Sequence, residues 1–134
     1  MKMMLRAATA VSLMLSALSA EMGEALFDAK CAACHIKVKP TPAMKKELIA
    51  PPAMGVMFQV KKAFAGERKA ATDFIVNYAL NPSESVAKCK PKAIRYFGLM
   101  PSQKGAVTEA ELVLIADYLY DNFPSKGFAP LGKQ

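Results

Sequence analysis

Residues 31–35 read Cys31-Ala32-Ala33-Cys34-His35, and His35 is the only histidine in the chain. Two thiols three positions apart on a helical turn face the same side, and the imidazole follows directly. The third cysteine, Cys89, stands far away in sequence. A single imidazole excludes a His-rich zinc enzyme and any cofactor held between two histidines. The length of 134 residues supports one small domain. A hydrophobic fraction of 53% is too high for a disordered chain.

On the N-terminal side of this stretch, Met1–Arg6 carries Lys2 and Arg6, and Ala7–Ala20 (AATAVSLMLSALSA) carries no charge and ends in small residues. These are the zones of a secretory signal peptide over residues 1–20, with cleavage after Ala20 or Ser19. The run is short of the roughly 20 apolar residues needed to cross a bilayer, and no later run is longer. The expected location is therefore periplasmic, with nothing spanning the membrane after cleavage. No cysteine directly follows the run, which argues against a lipid anchor. An oxidising compartment permits disulfides, but three cysteines cannot all pair within one chain. Residues 21–134 keep 16 basic against 11 acidic side chains. With no basic-aromatic motif among them, nucleic acid is not an expected partner.

The rest of the chain reads as helices. Glu21–Lys30 places Ala25, Leu26 and Ala29 on one stripe, with Phe27 at its edge. Lys37–Pro42 is a loop, and Ala43–Ile49 is at most a turn of helix before Pro51-Pro52. Val56–Phe64 and Thr72–Leu80 are helical, and Ala93–Gly98 is one more short turn. The clearest helix is Thr108–Asn122. Thr108 and Glu111 have capping-box spacing, Leu112, Ile115, Ala116 and Leu119 repeat at helical period, and Pro124 ends the pattern. Nothing alternates with period two for long enough to demand a strand, so the fold class is all-α. Residues 126–134 read as a loosely held tail.

The Cys-x-x-Cys-His pattern is that of a c-type haem attachment site. Its thiols reach the two vinyl groups of one porphyrin and form thioethers, while the adjacent imidazole serves as proximal iron ligand. A thioredoxin-like dithiol also uses Cys-x-x-Cys, but there the motif follows a strand, whereas here it follows a helix. A structural zinc site needs four donors, and His35, beside Cys34, is poorly placed to complete a tetrahedron with Cys31, Cys34 and Cys89. With His35 used, a distal ligand has to be a methionine, a lysine, a cysteine or nothing. Beyond residue 20 the methionines are Met22, Met44, Met54, Met57 and Met100. Thioether sulfur is a soft donor that favours reduced iron.

Three further features go with the motif. Gly23, Phe27 and Cys31 fall at successive intervals of four, Ile115, Tyr118 and Leu119 lie together on the last helix, and Phe97-Gly98-Leu99-Met100-Pro101 precedes that helix. In these features residues 21–125 resemble the class I c-type cytochromes, the monohaem cytochrome c family. The resemblance implies a cytochrome c fold, with several helices around one covalently attached haem c and the first and last helices packed together. It implies that Cys31 and Cys34 carry the haem and that His35 and Met100 ligate its iron, with Met54 or Met57 as the other methionines in reach. It implies a proline carbonyl behind the proximal histidine, for which Pro52 is favoured over Pro51, with Pro40 nearer in sequence. The implied role is an electron carrier rather than an enzyme. Lysine pairs such as Lys37/Lys39 and Lys88/Lys90 would ring the haem edge and steer docking onto redox partners. The alternative role is a haem c subunit held in a larger oxidoreductase that oxidises sulfur or nitrogen compounds. Cys89, between Lys88 and Lys90, departs from the family pattern, and flanking positive charge should favour its thiolate.

Overall fold

Five α-helices and one 3₁₀ turn make up the regular structure in a computed structural model that describes the backbone of residues 2–130 and the side chains of residues 11–130. The helices are α1 (Lys2–Lys30), α2 (Ala53–Ala63), α3 (Arg68–Leu80), α4 (Pro91–Phe97) and α5 (Glu109–Asn122), with the 3₁₀ turn at Met44–Lys46. No strand occurs among the described residues, so the fold is all-α and carries the cytochrome c arrangement. No described helix is long and apolar enough to cross a membrane.

The central element is α5, which packs against α1, α2 and α3. Its start is set by the Thr108–Glu111 capping box. The Thr108 hydroxyl accepts from the Glu111 amide at 3.2 Å, and the Glu111 carboxylate accepts from the Thr108 amide at 2.9 Å. Leu112, Ile115, Ala116 and Leu119 are buried along one stripe, as the period requires.

The crossing of α1 and α5 depends on Gly23. A Cβ at this position would stand 2.5 Å from the Leu114 carbonyl oxygen and 2.9 Å from Tyr118 Cβ, so only glycine permits this approach. One turn on, the Phe27 ring lies 5.9 Å from Tyr118 and 6.5 Å from Phe123, fully buried. Burying such a ring contributes about 1.5–3 kcal/mol. The Tyr118 hydroxyl donates to Glu24 at 3.3 Å across the same crossing. On the other side of α5, the Arg68 guanidinium bonds Asp117 at 3.0 Å and also Asp121, tying α3 to α5. The Tyr120 hydroxyl donates to the Gly66 carbonyl at 2.8 Å.

The helix starts differ from the sequence expectation in instructive ways. Pro51-Pro52 does not end a preceding helix. Pro52 is the N-cap of α2, which begins at Ala53, and the Ala53 amide donates to the Ile36 carbonyl at 2.9 Å. α3 begins at Arg68 rather than Thr72, because Arg68 gains its partners on α5 only in the folded chain. α4 begins at Pro91, whose missing N–H costs nothing in the first turn of a helix. α1 runs on backward from Glu21 to Lys2 through a segment rich in helix-forming Ala, Leu and Met, and residues 11–22 of it are exposed. Beyond α5 the chain folds back onto α2. The Ser125 amide donates to Met54 Sδ at 3.3 Å, and Phe128 meets Phe58 edge-on at 5.9 Å. The end of the expected tail, residues 131–134, and Met1 of the expected signal peptide lie outside the described residues.

Candidate functional site

An open apolar crevice lies between the helices. Its floor is the inner stripe of α5, with Leu112, Ile115 and Leu119. Val56 and Val60 of α2 and Ile75, Tyr78 and Ala79 of α3 form its walls. The remaining side is Ile94, Phe97 and Gly98 from α4 and its end.

The turn that closes α1 brings the motif to the mouth of this crevice. The amides of Cys34 and His35 donate to the Cys31 carbonyl at 3.1 and 2.9 Å. Cys31 and His35 line the crevice, whereas Cys34 is exposed and lies outside its lining. No cysteine of the three is in a disulfide. Burial pushes the Cys31 thiol above its ordinary range, with Cys34 adding to the shift and Lys30 opposing it.

His35 Nδ1 lies 2.7 Å from the Pro51 carbonyl oxygen. This bond makes Nδ1 the protonated nitrogen and leaves Nε2 free to ligate a metal. Burial pushes the imidazole below its ordinary value, and the Pro51 bond partly opposes the shift. The ring is therefore neutral at pH 7, as a metal ligand must be. The sequence favoured Pro52 for this role. Pro52 is instead the N-cap of α2, and the carbonyl in reach belongs to the residue before it.

The methionines separate by position. Met100 lines the crevice together with His35. Met57 is fully buried outside the lining, Met54 accepts the Ser125 amide, and Met22 is exposed. Met44 sits in the 3₁₀ turn, away from the crevice.

Cys89 also lines the crevice, facing the same space as Tyr78 and Ile94. The expectation of a lysine-stabilised thiolate does not hold. Burial pushes the Cys89 thiol up, and the Lys88 ammonium lies over the Phe64 and Phe74 rings, 5.7 and 5.9 Å from their centroids. The wall residues of α3 were missed as site residues, although Ile75, Tyr78 and Ala79 stand at the i, i+3, i+4 spacing that would have marked them as one inward face.

The donor set fits a haem. One imidazole with a fixed tautomer and one thioether share an apolar space, with the paired thiols of the attachment motif at its entrance. The competing chemistries lose their structural basis. Among the described residues no three His, Cys, Asp or Glu side chains converge on a point, as a zinc site requires, and there is no strand for a thioredoxin-like motif to follow.

Fold and site together define a c-type cytochrome with one covalently attached haem c. Residues 19–119 match the family described as "Cytochrome C oxidase, cbb3-type, subunit III", and the chain belongs to this family. A relative from Aquifex aeolicus (strain VF5), described as "Uncharacterized protein", is 35% identical over 115 residues, which cover 77% of this chain and 74% of the relative. No solved structure matches the chain.

Proposed function

We propose that this cytochrome is a periplasmic carrier of single electrons, with haem attached through Cys31 and Cys34 and its iron ligated by His35 and Met100. The observation that carries the ligand pair is that Met100 alone of the methionines beyond residue 20 lines the crevice with His35. Periplasmic location rests on the basic, apolar and small-residue zones of residues 1–20.

When bound, the haem supplies the one-electron couple of its iron. The chain's own residues supply position and environment. Pro51 holds the imidazole ring in one tautomer and orientation. Pro101 follows Met100 directly and stiffens the loop that presents the thioether. Leu112, Ile115 and Leu119 exclude water from the floor, which lowers the local polarity around a charged iron centre. Redox proteins are the partners this role requires, and the excess of lysine beyond residue 20 favours acidic ones.

A reduced and an oxidised absorption spectrum of the purified protein tests the reading. The expected result is the band position of thioether-attached haem in the ferrous form and a weak far-red sulfur-to-iron band in the ferric form. Met100→Ala should remove the far-red band. Its survival would sink the assignment of Met100.

A second reading, a haem c subunit held in a larger oxidoreductase, is favoured by the description of the matched family as an oxidase subunit. A catalytic partner that oxidises sulfur or nitrogen compounds belongs to this reading. Size-exclusion of a native periplasmic extract separates the two, since a free carrier elutes as a small monomer.

A further inference from the structure

Met100 stands in the loop between α4 and α5, and the two ends of that loop are held very differently. On the α4 side there is little to fix it. Among the described helices α4 packs against no other helix, and Gly98, with a φ of 78°, ends it. On the α5 side the loop is fastened to α3. The Ser102 hydroxyl donates to the Leu80 carbonyl at 2.6 Å, and the Gln103 amide donates to the Ala79 carbonyl at 2.8 Å.

Ala79 and Leu80 are the last two residues of α3. Their carbonyls are among the four at a helix C-terminus that find no partner within the helix. Asn81-Pro82 follows, and proline has no amide to offer them. The acceptor at Leu80 is met instead by a side chain 22 residues later in the chain. Ala79 and Met100 both line the crevice, so the loop is tied to a wall of the space its methionine faces.

The Ser102 oxygen is used twice. It donates to Leu80 and accepts from the Lys104 amide at 3.3 Å. A hydroxyl does both at once, and a methyl group does neither. Gln103 Nε2 donates back to the Pro101 carbonyl at 2.9 Å, and the Gln103 carbonyl accepts from the Ala106 and Val107 amides, each at 3.1 Å. Residues 101–107 are thus cross-braced. Only Pro101 separates Ser102 from Met100, and its ring locks φ. The placement of Ser102 therefore limits where the Met100 sulfur can go.

We infer that Ser102 is a positioning residue for the distal ligand, its hydroxyl fastening the Met100 loop to the C-terminal end of α3 and so holding the thioether in the crevice. The inference rests on the reading of Met100 as that ligand. A side-chain donor competes with free ligands through its effective concentration, which rises as its loop is confined to one geometry. Thioether sulfur favours reduced iron, so the ferric state depends most on this support.

The test titrates the ferric, haem-loaded protein with imidazole and follows the loss of the far-red sulfur-to-iron band. Ser102 is exposed, so Ser102→Ala leaves the core intact. This variant should bind imidazole roughly fivefold more tightly than the unsubstituted protein, the scale of one lost hydrogen-bonding hydroxyl. Ser102→Thr keeps the hydroxyl and should restore the unsubstituted affinity. Tyr120→Phe is the matched control. It also removes a hydroxyl that donates to a backbone carbonyl, that of Gly66, and Tyr120 does not line the crevice. Its imidazole affinity should not change. Equal affinity in Ser102→Ala and the unsubstituted protein overturns the inference while leaving Met100 as ligand, and so does an equal gain in Tyr120→Phe, which would mark general loosening. Absence of the far-red band from the unsubstituted protein overturns the Met100 reading, and this inference with it.

Discussion

Replacing Gly23 by Ala adds one methyl group at the point where α1 and α5 cross. That methyl would lie 2.5 Å from the Leu114 carbonyl oxygen and 2.9 Å from Tyr118 Cβ. An ordinary carbon–oxygen contact is about 3.3–3.6 Å, so the helices must separate by roughly 0.9 Å. The obstacles are a backbone carbonyl and a Cβ, neither of which can swing aside. Overpacking of this kind costs about 1–3 kcal/mol, and a rigid obstacle puts the cost near the upper end. Ala is better than Gly inside a helix by about 1 kcal/mol, which offsets part of the loss. The net expectation is destabilisation by about 2 kcal/mol, or a fall in Tm of roughly 10 °C for a domain of this size. Gly55, inside α2, serves as the control, because a Cβ there meets nothing within 4 Å. Gly55→Ala should raise stability by about 0.5–1 kcal/mol through the same propensity. Thermal unfolding of both haem-loaded variants, followed by far-UV circular dichroism, reads the two shifts. If Gly23→Ala is as stable as Gly55→Ala, the close crossing of α1 and α5 is wrong.

Three other perturbations test the cap of α5 and the crevice. Thr108→Ala removes the hydroxyl that caps α5 and should cost about 1 kcal/mol in denaturant unfolding, whereas Thr108→Ser should cost much less. The Thr108 amide holds the Glu111 carboxyl below its ordinary value of 4.5. That stabilisation is present above 4.5 and is lost as pH falls through the lower folded value, so Glu111→Gln should flatten the acid limb of a stability–pH curve. Burial holds the Cys89 thiol above 9.0, so the folded state binds its proton more tightly than the unfolded one. Alkylation by iodoacetamide at pH 8 should therefore be several-fold slower in the native protein than after denaturation, and equal rates would place Cys89 in solvent.

Much of this protein was legible before folding was considered, and the reason is that the relevant physics is local. The attachment motif needs only a turn to bring its thiols and imidazole together, so Cys31, Cys34 and His35 could be read directly. The start of α5 was legible because its capping box closes within four residues. Gly23 and Phe27 were legible as contacts with the last helix only through the resemblance to the c-type cytochromes, since spacing puts them on one face and does not name what that face meets, and the 2.5 Å approach was not legible at all.

The rest was decided by contacts between segments far apart in the chain. α3 begins at Arg68 because its partners are Asp117 and Asp121, some fifty residues later. Pro51 and Pro52 are equivalent in sequence, and only the turn into α2 determines which carbonyl faces His35. Five methionines have the same soft sulfur, and packing separates them: Met54 of α2 bonded to the tail, one in the core, one in solvent, one in a turn and Met100 in the crevice. Cys89 shows the same division most clearly. Its lysine neighbours suggested a thiolate, but the fold directs Lys88 onto two aromatic rings and buries the sulfur, so its environment is set by desolvation. The sequence alone determined the cofactor chemistry and the helical class, because both depend on spacing within a turn or a helix. The tertiary structure alone decided which donors share one apolar space, because proximity across the chain follows from packing and not from order.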